Sequence, residues 1–267
     1  MNKKVLNWYL NSGSSYTSEY QAVLDRATAL GYTHPSSAQK TKHDTMVRLL
    51  KSDGTWAKLD ALYIFLNDGS KEFGTLNWIS PSANQASIVA SMTWTSNVGF
   101  TSNGTSTYLN TNFNPATNGV QFNKNSSCFF VQYGNNLGAV NVLDGSLSGS
   151  DGIFMRPRSA TDTCVARLND AANISVASAN SIGLFSILRT ASNARQVYRN
   201  GATLGSGDTQ ASSNIPSLNV FLGCYNSGGA PTFILGQVLQ YNSAGFGSGT
   251  IDQSKLYTAI NAYTSNP

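Results

Sequence analysis

The sequence predicts a mainly β protein: a sandwich or barrel of antiparallel strands, preceded by a small helical region and closed by one short helix. Three observations carry that expectation. Apolar residues at helical spacing are concentrated towards the two ends. No charged residue stands between Glu72 and Lys124, where Ser, Thr, Asn and Gly take over. Beyond that boundary, short runs rich in β-branched and aromatic residues recur between turn formers, the pattern of an all-β sandwich or barrel. The 267-residue chain is 11% charged and 40% hydrophobic. Globular domains are usually about 25% charged, and disorder needs low hydrophobicity with high net charge, so a disordered chain is excluded.

The helical region comes first. Ser18-Glu19-Tyr20-Gln21 fits a capping box, in which Ser and Gln side chains satisfy each other's free backbone donors. Tyr20, Val23, Leu24, Ala27 and Leu30 then recur at helical spacing up to Gly31. After His34-Pro35 a second helix runs through Met46, Val47, Leu49 and Leu50 to Gly54. Trp56, Leu59, Leu62, Tyr63 and Phe65 extend an apolar face onto a third, shorter segment. Such a unit is too small to bury a sufficient core alone. Val23, Leu24, Leu30, Leu49, Leu50 and Trp56 should therefore be covered, by this chain's sandwich or by a neighbouring subunit. The division expected is a helical attachment region over 1–75 and a β-sandwich over 76–267.

The strand runs are Ala86–Thr95, Ser106–Phe113, Cys128–Tyr133, Ile153–Arg156, Cys164–Leu168, Gly183–Arg189, Ala194–Tyr198, Leu218–Leu222 and Phe233–Tyr241. Period-two alternation points Phe185, Ile187, Val197, Val220, Leu222 and Leu239 inward. Asn200-Gly201 supplies the two positive φ angles of a type I′ hairpin turn. At the end, Thr250-Ile251-Asp252-Gln253 reads as another capping box, before Leu256, Ile260 and Tyr263 on one helix face.

Charge and cysteine usage narrow the function. Residues 1–75 hold nine Lys/Arg and seven Asp/Glu, and the remainder eight and six, so each part carries +2. Nucleic-acid binding leaves a clustered basic footprint; none is present, and Arg156-Pro157-Arg158 is too short to form one. Cys128, Cys164 and Cys224 lie far apart without a CxxC, which predicts buried single thiols rather than a disulfide framework or a zinc site. No apolar run approaches the ~20 residues of a membrane span, so no membrane insertion is expected. Met1–Trp8 carries two lysines with no apolar stretch after them, unlike a secretory signal. Without a secretory route, the sequons at Asn103, Asn125 and Asn173 carry little meaning.

The order of several stretches is distinctive. Trp56-Ala57-Lys58-Leu59-Asp60-Ala61-Leu62-Tyr63-Ile64-Phe65 is followed by Leu76-Asn77-Trp78, then by Asn103-Gly104-Thr105-Ser106-Thr107-Tyr108-Leu109-Asn110-Thr111 and Phe113-Asn114-Pro115. Gly183-Leu184-Phe185-Ser186-Ile187-Leu188-Arg189-Thr190, Tyr198-Arg199-Asn200-Gly201 and Asp252–Tyr263 complete the set. Over about residues 15–265 this resembles bacteriophage virion proteins, structural or tail, that carry a concanavalin A-like (laminin G-like) jelly-roll. The resemblance implies two antiparallel sheets and residence in the virion. It implies contact with other virion proteins and further copies of the chain, and in some members with host-surface glycan. It brings no catalytic residues.

The chemistry agrees with a non-enzyme. Glycoside hydrolysis ordinarily needs two carboxylates across the scissile bond. The only glutamates, Glu19 and Glu72, precede the predicted sandwich; Asp144, Asp151, Asp162, Asp170, Asp208 and Asp252 are scattered, most beside turn residues. A hydrolytic site would need aspartates converging in space, or Glu72 or Asp68 of one copy facing Asp144 or Asp151 of another. His34 and His43 lie in the helical part, where solvated structural roles are expected, so a sandwich triad lacks its base. Asp144-Gly145-Ser146, Asp151-Gly152 and Asn67-Asp68-Gly69-Ser70 do not match a calcium loop and read as turns. Tyr108, Tyr133, Tyr225 and Tyr241, near Asn110, Asn135, Asn136, Asn226 and Asn242, are the residue types of a sugar platform, though strand aromatics usually pack in cores. The expectation is no catalytic residue, no cofactor and no metal ligand, with no single glycan contact assigned.

Overall fold

In the computed structural model, which describes residues 16–138, 143–232 and 238–264, every predicted run contributes at least one strand. In chain order the strands are β1 Leu59–Ile64, β2 Ser87–Val89, β3 Thr93–Thr95, β4 Gly99–Thr101, β5 Tyr108–Asn110 and β6 Ser127–Tyr133. They continue as β7 Asp144–Ser148, β8 Asp151–Arg156, β9 Thr163–Asp170, β10 Ile174–Ala177, β11 Gly183–Ala191 and β12 Ala194–Arg199. The last are β13 Ala202–Thr203, β14 Phe221–Leu222, β15 Tyr225–Ser227, β16 Ala230–Thr232 and β17 Gln240–Gly247. Three longer helices, α1 Ser18–Ala29, α2 Ser37–Ser52 and α3 Gln253–Thr264, flank them. The readings of Met1–Trp8 and of 233–237 lie outside the described residues.

The strands sort into two sheets. One has the order β13-β12-β11-β6-β17-β4-β3, with β1 also paired to β17; the other runs β10-β9-β8-β7-β14-β5-β2, with β15 and β16 attached. Pairing is antiparallel except for β15 beside β7. This is a jelly-roll-type sandwich, and alternation sets its interior. Phe185, Ile187, Val197, Val220, Leu222 and Leu239 are all buried between the sheets, as period two requires. The hairpin β12–β13 turns on Asn200 (φ 50°) and Gly201 (φ 80°).

The first sheet is apolar on its outer face too. Cys128, Phe130, Leu184 and Leu188 meet Val23, Leu24, Met46, Val47 and Leu50 of α1 and α2, and Leu256, Ile260 and Tyr263 of α3. Leu30, Leu49 and Trp56 pack half-buried at the margin. The partner that the helices need is thus this chain's own sheet. The three cysteines are free and buried.

Two expectations change here. The segment after Trp56 is not a third helix: a single 3-10 turn leads into β1, whose Ala61 and Tyr63 face the sandwich interior while Leu62 and Ile64 face the helices. A strand covered on both faces is apolar almost throughout and loses its period-two signature. The caps also shift by a residue or two. Thr17 caps α1 and accepts from Tyr20 N, and Asp252 accepts from the Ser254 and Lys255 amides at the start of α3.

Candidate functional site

Any hydrolytic reading turns on the carboxylates. Asp144 is not in a turn: it lies on β7 and is fully buried. Its Oδ2 accepts from Tyr133 OH at 2.6 Å, and its Oδ1 accepts from Tyr241 OH at 2.8 Å and Gly223 N at 2.7 Å. Burial pushes its pKa up to about 6, against the pull of those three donors. The Asp-Gly pair, a turn signal in sequence, serves here because Gly145 (φ 155°) lies against β8, where a Cβ would stand 2.0 Å from Ile153 O. Enclosed this way, Asp144 cannot face a second copy of the chain.

Asp170 ends β9 and meets two buried guanidinium groups. Arg189 Nη2 and, at 2.7 Å, Arg195 Nη1 both donate to its Oδ2. Arg195 also forks onto Asp208 at 2.7 and 2.8 Å. This network ties the second sheet, through β9, to β11 and β12 of the first. Asp151 accepts from Ser213 and Asn214, and Asp162 from Arg158. Each sandwich carboxylate is therefore engaged by its own chain. Among the described residues, no group of three His, Cys, Asp or Glu is placed to hold a metal.

His43 is another correction. It is fully buried, against Phe73, Trp78 and Tyr263, with Nδ1 2.9 Å from Tyr20 OH. Desolvation pushes its pKa down to about 3. Its polar neighbours in sequence, Lys42 and Asp44, conceal an inward helix position. His34 stays half-exposed, with Nε2 3.0 Å from Thr28 Oγ1.

Most of the sugar-platform candidates separate, and Tyr133 and Asn242 meet at one pocket. Tyr133 and Tyr241 lie inside the sandwich on Asp144, and Tyr108 packs on Phe221 at 4.7 Å. Asn110, Asn135 and Asn226 brace nearby backbone. Asn242 differs. It is the extra residue of a β-bulge in β17, between Tyr241 opposite Tyr133 and Ser243 opposite Gln132; bulges redirect side chains in this way.

Asn242 opens onto a pocket of about 240 Å³ at the end of the first sheet. Gln132, Tyr133, Gly134, Ile182, Gly183 and Asn200 contribute from the strand ends, and Tyr257, Asn261 and Thr264 from α3. No charged side chain lines it. Gln132 Nε2 donates to Thr264 Oγ1 at 2.8 Å. Gln132 Oε1 and Asn242 Oδ1 are both buried without a hydrogen-bond partner. Two glycines permit the crowding: a Cβ on Gly134 would stand 2.5 Å from Asn242 Oδ1, and one on Gly183 2.2 Å from Asn200 Oδ1. The latter oxygen accepts from Leu184 N. Gln132, Gly183, Asn200 and Tyr257 carried no sequence signal for a site, because strands far apart in the chain bring them together.

No protein-family model and no curated protein matches the sequence. Solved structures do share the fold. The receptor binding domain of botulinum neurotoxin C/D mosaic serotype aligns over 77% of this chain and 51% of its own, at 9% identity and TM-score 0.52. The receptor binding domain of botulinum neurotoxin D gives 77%, 53%, 12% identity and 0.50. Trypanosoma rangeli sialidase in complex with sialic acid gives 82%, 38%, 15% identity and 0.51. This chain spans about half or less of each. At such identities the likeness shows the β-sandwich fold, and it includes binding domains and an enzyme alike.

Proposed function

We propose that the protein is a non-enzymatic, lectin-like component of a bacteriophage virion whose sandwich contacts host-surface glycan. The observation that carries the glycan contact is the pocket lined by amides and two tyrosines, without a charged side chain. Polar groups converging in a concave site are the usual form of a ligand pocket. No carboxylate lines this one, whereas glycosidic cleavage ordinarily uses a pair. The receptor-binding and sialic-acid-complexed neighbours support a sandwich suited to saccharide contact. The virion setting rests on the sequence resemblance, with the helical region attaching the sandwich to other virion proteins and to further copies of the chain.

The test is to apply the purified protein to an array of host-surface polysaccharides and to follow reducing ends in parallel. Retention without release supports the proposal. Release that disappears in Asp144→Asn or Asp151→Asn overturns the non-enzyme reading. Antibody labelling of purified particles tests the virion setting, and unlabelled particles overturn it.

A further inference from the structure

We propose that the outer face of β12 carries a second glycan site, an open trough that takes a run of linked neutral sugar units across the Tyr198 ring. This rests on the glycan reading above and adds to it a separate place, at the opposite end of α3, and a ligand class.

Alternation builds the floor. Val197 and Ile187 point between the sheets, so Gln196 and Tyr198 of β12 and Leu188 and Thr190 of β11 point outward. Leu188 is buried, whereas Tyr198 packs only at the margin of that core and Thr190 is exposed. Over this uncovered strip lie two cavities. One, of about 420 Å³, is walled by the 249–254 segment that leads into α3. The other, of about 300 Å³, is walled by 207–209. Thr190 and Tyr198 line both, so the two join over the tyrosine ring. Each has the size of an ordinary ligand pocket, and together they suit a chain rather than one ring.

The groups open to solvent are those that meet sugar hydroxyls. Thr190, Asn193, Thr209, Thr250 and Ser254 are exposed, while the large aliphatic members, Leu188 and Ile251, are 3% exposed each. Such a lining serves a hydroxyl-rich ligand better than an apolar peptide, and the tyrosine offers a face to the apolar side of a ring. Charge selects further. Asp252 is exposed in one cavity and Asp208 half-exposed in the other, and Arg195, the one cationic side chain of the lining, is buried against Asp208. Both carboxylates can accept from hydroxyls, and both repel an acidic sugar.

The walls are fixed in advance. A Cβ on Gly249 would stand 1.9 Å from Arg189 O, one on Gly201 2.9 Å from Ser254 Cα, and one on Gly207 2.7 Å from Arg195 O. The Arg195–Asp208 fork holds the second wall to β12. Such preorganisation lowers the entropic cost of binding.

The experiment is a ¹H–¹⁵N titration of the full chain with maltotriose, cellotriose, mannotriose, chitotriose and sialyllactose, each alone, and with the parent monosaccharides. At least one neutral trisaccharide should shift the Thr190, Tyr198, Thr209 and Ser254 backbone amides together. Its monosaccharide should bind about tenfold more weakly or worse, and sialyllactose should leave these amides in place. Tyr198→Ala should weaken trisaccharide binding about tenfold or more. Thr190→Arg, at an exposed position common to both cavities, should block it with Tm unchanged and serves if Tyr198→Ala fails to fold. Shifts from sialyllactose alone, shifts confined to another surface, or no shifts overturn the inference. So do shifts of the same amides with protein concentration before sugar is added, which would make the trough an interface between copies. If array retention persists equally in wild type and Thr190→Arg, the glycan reading stands and only the trough falls. If wild type is not retained, both fall.

Discussion

The central strands of the first sheet, β1, β6, β11 and β17, are buried on both faces, and the two faces treat buried polar groups differently. Between the sheets, charge is matched: Asp170 meets Arg189 and Arg195, and Asp144 accepts three hydrogen bonds. Beneath the helices, His43 sits among aromatic rings with Nε2 unpartnered, and Trp78 Nε1 has no partner either. The contrast teaches that one sheet supports two cores with opposite responses to acid. Asp144 holds its proton more tightly in the folded state than in the unfolded chain, and His43 holds its proton less tightly.

The largest effect expected from breaking this contrast is at the charge network. Asp170→Ala leaves two buried guanidinium groups without their shared carboxylate and should cost about 3–5 kcal/mol, read from denaturant midpoints. A loss below about 1 kcal/mol would mean that the network does not hold the sheets together.

Next is His43. The unfolded chain takes up a proton near 6.5 and the folded one only near 3, so the unfolded state binds more protons between those values and stability falls with acidification. From pH 7 to pH 5 this site alone should remove about 2 kcal/mol. The check is the pH slope of wild type minus that of His43→Gln; an unchanged slope would refute the buried neutral imidazole.

Asp144 should act in the other direction and somewhat less. Its folded pKa of about 6 lies above its unfolded value of 3.8. Its contribution is present in full below about pH 4 and is lost as pH rises through 6, worth about 1.4 kcal/mol between pH 5 and 7. Asp144→Asn should remove that component. Urea titrations at the two pH values would reveal it as a steeper acid loss in the variant than in wild type.

The smallest effect tests the outer face at its open end. Gln132→Met removes an orphaned acceptor and one hydrogen bond to Thr264 together, so stability should hold or rise by about 1 kcal/mol. A drop of more than about 1 kcal/mol in thermal or chemical unfolding would show that Gln132 is an ordinary structural residue.

The sandwich was legible because most strands have one distinct interior side. Ile174 and Val176 alternate with exposed Ser175 and Ala177, and Val197 with half-exposed Gln196 and Tyr198, and Asn200-Gly201 announces its turn without help from the rest of the fold. β1 was misread because, with both sides covered, its apolar run directly continues the pattern of the two helices before it, whereas β6 and β11, equally covered, stand between turn formers. Asp144-Gly145 was misread for a different reason. Its glycine answers to the close approach of β8, about ten residues further along, rather than to a reversal. Little of the pocket was legible: of its lining, Tyr133 and Asn242 stood among the sugar-platform candidates. Asn242 appeared among the candidate residues, but its importance comes from a bulge in register with β6, more than a hundred residues earlier.

Composition and periodicity by themselves determined the secondary structure of most of the chain, the inward set of the sheets and the three unpaired thiols, because each depends on a residue and its near neighbours. Only the tertiary structure decided that the helices cover their own sheet, that His43 and Asp144 are buried, and that Gln132, Asn200, Asn242 and Tyr257 share one pocket. Those outcomes depend on which surfaces meet. Strand order and sheet packing choose the meeting surfaces across long loops, and desolvation then sets the chemistry of whatever side chains they enclose.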